Sequence, residues 1–398
     1  MNYNKYMNKR FWVIISIVFA FTLPFFALAS EKQFYYGGWL PFWKKQSGAL
    51  DIALHLEKVN EVSPFSYEVN PKGTLKDSLK IHEGFWPGWL LALHDAKVKI
   101  IPSIAWFNGS GLHALLSNTK LRQAHEDIIL KLVLDENFDG IDIDYEAKKA
   151  ETKPYFSTFL KGLAMRLHPR NKILSCTIEA RTPLTSLENP DAPERKPSYA
   201  NDYAALNKYC DEVRIMAYDQ GAIDLKLDVK KGNGNLYMPV ADPDWVEKVI
   251  IETIKTISRD KIMLGIPTYG YEYAVSWNNN ITTYRRLRAV NFFTALNRAD
   301  SVNVTPTRNS AGELSFTYST STFVEVSVAL RSDVSSTPPV GIPPASLNST
   351  SSVMRFVSFS DAESVDQKIQ LAKKYKLRGV VLFKLDGEAD PLIWEKLK

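Results

Sequence analysis

Asn137-Phe138-Asp139-Gly140-Ile141-Asp142-Ile143-Asp144-Tyr145-Glu146-Ala147 is the stretch whose reading decides the fold. Asp142, Asp144 and Glu146 stand two residues apart, with Ile141, Ile143 and Tyr145 between them. Side chains of a β-strand alternate faces, so the three acids share one face and the apolar residues the other. The β-branched face reads as a strand packed beneath helices. Three neighbouring carboxylates cannot all ionise without penalty, so at least one must hold its proton to a higher pH than usual. A carboxyl that keeps its proton near neutrality is suited to general acid chemistry.

Working outward, similar short apolar or alternating runs recur at Phe34–Gly37, Val59–Tyr67, Val98–Trp106, Phe138–Glu146, Lys172–Glu179, Glu212–Asp219, Lys261–Tyr269 and Gly379–Leu385. Amphipathic segments with helical spacing fall between most of them, notably over 118–135, 153–167 and 363–376. Eight strands alternating with helices predict an α/β fold, a closed (β/α)8 TIM barrel, spanning residues 30–398. An open doubly wound sheet fits less well, because no glycine-rich phosphate turn follows the first run. One connection is too long. Residues 273–355, between the seventh and eighth runs, contain strand-like pieces at Ser315–Tyr318 and Phe323–Leu330, and a Ser/Pro-rich stretch at Ser335–Ser352. Their aromatic content, with Phe292, Phe293, Phe316 and Tyr318, is too high for a disordered linker. They read as a small α+β insertion in the barrel.

The N-terminus carries Lys5, Lys9 and Arg10, an apolar run from Phe11 to Phe26, and Ala27-Leu28-Ala29. This is the pattern of a secretory signal peptide over residues 1–29, with export to the cell exterior, periplasm or cell wall as the expected destination. Losing the leader takes the formal net charge from +5 to +2, since it holds three cations and no acid. So small a charge argues against nucleic acid as the partner. No later stretch is long and apolar enough to span a membrane. Of the two cysteines, Cys176 falls within a run and Cys210 just before one. A bridge is open to an exported chain, but two buried thiols are the expectation. The six histidines form no close-spaced pair, so no metal and no cofactor are expected. A monomer is expected.

In a parallel barrel, chemistry sits at the C-terminal ends of the strands. Glu146 lies at that end of the fourth run, with Asp144 and Asp142 successively deeper. Asp139 to Glu146 resembles the DGxDxDxE signature of glycoside hydrolase family 18, the chitinases and their relatives. Met216-Ala217-Tyr218-Asp219 is similar to the family's MxYD motif, and Gly379–Gly387 to its last strand. Tyr203-Ala204-Ala205-Leu206 also looks like the family, which is known for an α+β insertion after the seventh strand.

The resemblance implies a retaining glycosidase without a protein nucleophile, an exception to the usual two-carboxylate scheme. Glu146 would protonate the glycosidic oxygen, and the substrate's own acetamido oxygen would attack the anomeric carbon. Asp144 would orient the acetamido nitrogen, Asp142 would share a proton with Asp144, and Tyr218 would hydrogen-bond the acetamido group. Asp219 would hold the sugar or tune Glu146, with Met216 in the same motif. The expected partner is an N-acetylglucosamine-containing glycan. Trp39, Trp43, Trp106 and Tyr269 lie at or just after strand ends, where rings could stack on sugars. A structural role is expected for Glu179, at the end of the fifth run, and a turn position is open to Asp386.

Two positions depart from the family pattern. Phe383 stands where the last strand usually presents Trp, and Ser103-Ile104-Ala105-Trp106 puts a bulky ring where the third strand usually has SxGG. Both direct the expectation away from crystalline chitin, towards peptidoglycan or a short oligosaccharide. The other class of function open to the chain is a sugar-binding lectin on the same barrel. Such relatives typically lose the acid that this chain keeps at Glu146.

Overall fold

Pairing runs from strand to strand until it closes. In the computed structural model, which describes residues 33–186, 199–278, 281–324 and 349–398, the first strand, Tyr35–Leu40, pairs in parallel with both Glu61–Val69 and Gly379–Phe383. Between them lie Ser103–Trp106, Gly140–Tyr145, Ile173–Glu179, Glu212–Met216 and Ile262–Pro267, each parallel to its neighbours. This is the closed (β/α)8 barrel. The third run is split into Lys99–Ile100 and Ser103–Trp106. Pro102 lies in the gap, has no N–H to give a ladder, and uses its carbonyl to accept from the Asp142 N–H at 2.9 Å.

The start of strand four explains its Asp-Gly pair. The Asp139 carboxylate accepts from the Ile100 N–H at 2.8 Å, which fixes the register against the third run. At Gly140 an added Cβ would stand 2.3 Å from the Ile173 carbonyl oxygen, so only glycine lets strand five approach. The helices Thr119–Asp135, Lys153–Leu167 and Ala362–Lys374 lie within or against the expected segments. Thr119–Asp135 buries a more polar stripe than its leucines suggested. His125, Arg122 and Glu126 face inward while Leu121 is exposed. Each of the three has a partner: the Tyr145 hydroxyl donates to His125 Nε2 at 2.5 Å, Arg122 donates to the Leu116 carbonyl, and Arg166 pairs with Glu126 at 2.6 Å.

Among the described residues the insertion is a five-stranded antiparallel sheet with one helix, Phe292–Ser301. Its strands, in sheet order, are Ile281–Asn291, Tyr269–Asn278, Ser349–Phe359, Leu314–Val324 and Thr307–Arg308. The sheet begins two residues after strand seven ends at Pro267 and so rises from the C-terminal rim of the barrel. The expected limits, 273 and 355, fall inside its first and last long strands. Glu313, fully buried, anchors it to the rim by accepting from the Val240 and Ala241 N–H groups and from the Ser358 hydroxyl. Residues 1–29 and most of Ser335–Ser352 lie outside the described residues.

The expectation of two free thiols is overturned. Cys176 and Cys210 form a disulfide. Cys176 points from strand five towards the helical layer, where the chain returning from the helix Tyr203–Tyr209 places Cys210, with 6.1 Å between the Cα atoms. That separation lies within the range a bridge requires.

Candidate active site

The barrel register sorts the three acids into different surroundings. Asp142 lies beside Ser103 and Ser175, and Asp144 beside Ala105 and Thr177. Asp142 accepts from Trp39 Nε1 at 3.1 Å, Ser103 Oγ at 2.7 Å, and Ser175 Oγ and Thr177 Oγ1 at 2.9 Å, with Arg214 Nη1 at 3.5 Å. Donors therefore surround it. No hydrogen bond joins it to Asp144 among the described residues, so the expected shared proton is not seen. Asp142 acts on Asp144 through its charge. Asp144 is buried, and its Oδ1 has no partner among the described residues. Burial, then the charges of Glu146 and Asp142, holds its carboxyl well above the usual range, so Asp144 keeps its proton to a higher pH than a free carboxyl does.

Glu146 stands half-buried at the mouth, its N–H donating to the Trp106 carbonyl at 2.9 Å. Burial first, and the nearby Glu179 second, push its carboxyl up to about 7, while Lys148 pulls the other way. Lys148 is a charge that sequence reasoning passed over, although it lies two residues beyond Glu146. Its side chain is only 1 % exposed, 3.6 Å from Glu179 and 4.9 Å above the Phe156 ring, and it donates to the Tyr145 carbonyl. Burial lowers its pKa, and Glu179, Asp144 and Glu146 oppose that fall. Glu179 also accepts from Asn201 Nδ2 at 2.6 Å. It therefore has an electrostatic effect on Glu146 beyond the structural role expected of it.

Opposite the acids is an aromatic wall. Tyr218 stacks on Phe383 with 5.3 Å between ring centres, and Gly265 leaves the space its ring needs. Burial and the charge of Asp144 raise the Tyr218 hydroxyl well above its ordinary pKa, so it remains a donor. Asp219 adopts a left-handed backbone at φ 57°, and its Oδ1 accepts from the Tyr269 hydroxyl at 2.5 Å and the Tyr271 hydroxyl at 2.8 Å. Phe383 is half-buried and meets Trp39, Phe65 and Tyr269 edge-on. The peptide after it is cis. Met216 ends strand six beside Glu179.

Three expected sugar-stacking rings are placed otherwise. Trp39 is 1 % exposed, inside the barrel, with its N–H on Asp142. It positions an acid. Trp106 pairs in register with Tyr145, so it shares that residue's outward face, under the helix Gly109–Ser117, away from the cleft. Its bulk therefore says nothing about substrate. Tyr269 is buried and spends its hydroxyl on Asp219. Trp43 and Phe107, by contrast, are more than half exposed. Asp386 is a buried turn residue bound by Lys384.

Beneath the acids the barrel interior is charged. Arg214 is fully buried and donates to Ser63 and, at 2.8 Å, to Glu61, with Glu212 at 3.4 Å. Burial first, and Glu212 second, push Glu61 up to about 8. Glu61 thus holds a proton at neutral pH, which leaves fewer negative charges around the guanidinium.

A family model for glycosyl hydrolases family 18 matches residues 89–388. The chain belongs to the glycosyl hydrolases family 18. Among its relatives, the uncharacterized glycosylase YvbX of Bacillus subtilis is 23% identical over 292 residues, which cover 73% of this chain and 70% of that protein. Chitinase 1 of Aphanocladium album is 25% identical over 219 residues, half of each chain. The fold is similar to that of the Bacillus cereus spore cortex-lytic enzyme SleL, with a TM-score of 0.67, 20% identity, and coverage of 92% of this chain and 73% of that one. With the family shown, the chain is a chitinase-like glycoside hydrolase, and the family implies a substrate containing N-acetylglucosamine.

Proposed function

We propose that this chain is an exported glycosidase that cleaves β-1,4 bonds of N-acetylglucosamine-containing glycans with retention, using the substrate's acetamido group as nucleophile. The observation that carries this reading is the buried Oδ1 of Asp144, without a partner among the described residues, beside a half-buried acid at Glu146. A buried polar atom without a partner is costly, and an acetamido N–H placed there would satisfy it. Glu146, protonated below about pH 7, gives its proton to the glycosidic oxygen as the bond to the anomeric carbon breaks and its electron pair leaves with the departing sugar. The acetamido carbonyl oxygen then bonds to that carbon. Asp144 receives the N–H on Oδ1 and so orients the acetamido group for attack, while the Tyr218 hydroxyl donates to the acetamido oxygen. Glu146, now a carboxylate, takes a proton from the water that opens the ring, and two inversions give net retention. The raised pKa values at Asp144 and Glu146 favour this over a lectin, which has no use for a proton on either acid.

Phe383, smaller than the Trp usual in the family and lacking its N–H, favours a soluble oligosaccharide or peptidoglycan over crystalline chitin. The leader sequence and the Cys176–Cys210 disulfide both support an oxidising, extracytoplasmic location. Product analysis on chito-oligosaccharides and purified peptidoglycan in parallel tests the substrate. A thiazoline analogue of N-acetylglucosamine tests the mechanism: inhibition is expected, and indifference to it at high concentration would remove the substrate-assisted step.

A further inference from the structure

The cleft continues past Asp219 on to the inserted sheet, into a pocket of about 170 Å³ lined by Asp219, Met238, Tyr271, Tyr273, Tyr284 and Arg286, among others. The side of the sheet that forms its wall is set by one irregularity. Tyr269, Tyr271, Tyr273 and Val275 share a face of their strand. Across from them, Tyr271 pairs with Ala289 and Glu272 with Arg288, so a regular ladder would set Leu287 opposite Tyr273. The register instead shifts between Glu272 and Tyr273, and Arg286 takes that place, followed by Tyr284 opposite Val275. The bulge turns a leucine off the tyrosine face and an arginine on to it, which is how bulges re-aim side chains beside active sites.

The two neighbouring arginines are used differently. Arg288 is bound by Glu272 at 2.6 Å, which in turn accepts from the Tyr318 hydroxyl at 2.5 Å. The Arg286 guanidinium lies 4.8 Å from the centre of the Tyr271 ring and is solvent-exposed. Among the described residues it has no hydrogen bond or ion pair. Asp219, the acid lining the same pocket, already has one oxygen taken by two tyrosine hydroxyls. Tyr271 and Tyr273 are buried, so the half-buried Tyr284 is the pocket tyrosine that offers a ring face to a sugar, and a guanidinium fork held over a ring is suited to a carboxylate.

We propose that this pocket is a sugar subsite specific for a carboxylate carried on the glycan itself, such as the lactyl ether of a muramic residue flanking N-acetylglucosamine. It rests on the glycosidase reading above. The substrate's carboxylate pairs with Arg286 while its ring lies against Tyr284, so the site favours an anionic amino-sugar polymer over a neutral one.

The test uses three glycans with the full-length protein: peptide-stripped peptidoglycan strands with free lactyl carboxylates, the same strands with those carboxylates reduced to alcohols, and neutral chito-oligosaccharides. For the unmodified enzyme, KM for the carboxylated strands should be about tenfold below that for the reduced strands. In Arg286→Gln the two KM values should converge. The ratio is internal to each protein, so a loss of folded enzyme does not mimic the result. Equal KM values for the two strands in the unmodified enzyme, no turnover of the stripped strands, or discrimination retained in R286Q would each overturn the subsite. Hydrolysis of chito-oligosaccharides reports separately on the glycosidase reading. If the unmodified enzyme cuts none of the three glycans, that reading falls as well.

Discussion

Replacing Glu146 by Gln should cost activity and add stability, with a pH dependence that ties both to one proton. The carboxyl titrates near 4.5 in an unfolded chain and at about 7 in the folded one. Between those values the folded state binds more protons than the unfolded state, so stability falls as pH rises across this window. The gap corresponds to about 3 kcal/mol at ~1.4 kcal/mol per pH unit, and solvent screening of the partly exposed carboxyl reduces it to about 2 kcal/mol. Glutamine carries no proton to lose and escapes the penalty. For the roughly 330 described residues the unfolding entropy is about 0.7 kcal/mol/K, so the melting temperature of E146Q should exceed that of the unmodified protein by about 3 °C at pH 8. Below pH 4.5 both proteins carry an uncharged side chain here, and the two melting temperatures should coincide. Hydrolysis should fall by at least ~100-fold at every pH. Thermal unfolding at pH 4 and pH 8, with turnover on one oligosaccharide, checks all three statements. A gain already present at pH 4, no gain at pH 8, or retained turnover would refute the reasoning.

Glu179→Gln removes the largest charge raising Glu146, so the basic limb of the pH–rate profile should move to lower pH, and Lys148→Met should move it to higher pH; shifts in the same direction would refute the electrostatic assignment. Arg214→Met leaves Asp142 buried without its guanidinium and Glu212 with only Arg378, at 2.9 Å, and should destabilise the fold by about 3–5 kcal/mol in denaturant titration, with a smaller loss in an Arg214→Met, Glu212→Gln double variant. Replacing both cysteines by Ala opens a loop of 34 residues and should cost about 4 kcal/mol on the chain-entropy account, read as a fall in melting temperature with KM unchanged.

Much of the site was legible in one strand. The two-residue spacing of Asp142, Asp144 and Glu146 fixes a common face wherever that strand lies, because side-chain alternation is a local property of the backbone. The order of eight runs and helices implies a barrel, and the motif order implies the family. Glu146, Asp144, Tyr218 and Asp219 were singled out this way, and the structure brings them together at the C-terminal end of the barrel. Trp39 and Trp106 were misplaced for a physical reason. Proximity to a strand end says nothing of which face a ring occupies, and that depends on pairing with the next strand. The Ser103–Asp142 register puts Trp106 outward. Closure of the barrel puts Trp39 on Asp142, 103 residues away.

The sequence by itself therefore determined the shared face of the three acids, the strand count and the place of the insertion, since all three follow from spacing along the chain. Only the tertiary structure decided which acid is surrounded by donors and which is left without a partner, that Lys148 and Glu179 adjust Glu146 in opposite directions, that Cys176 meets Cys210, and that a single bulge sets Arg286 among the tyrosines. Each of these depends on distances and registers between segments far apart in sequence, and those are set by barrel closure and by packing of the inserted sheet, not by any residue's neighbours along the chain.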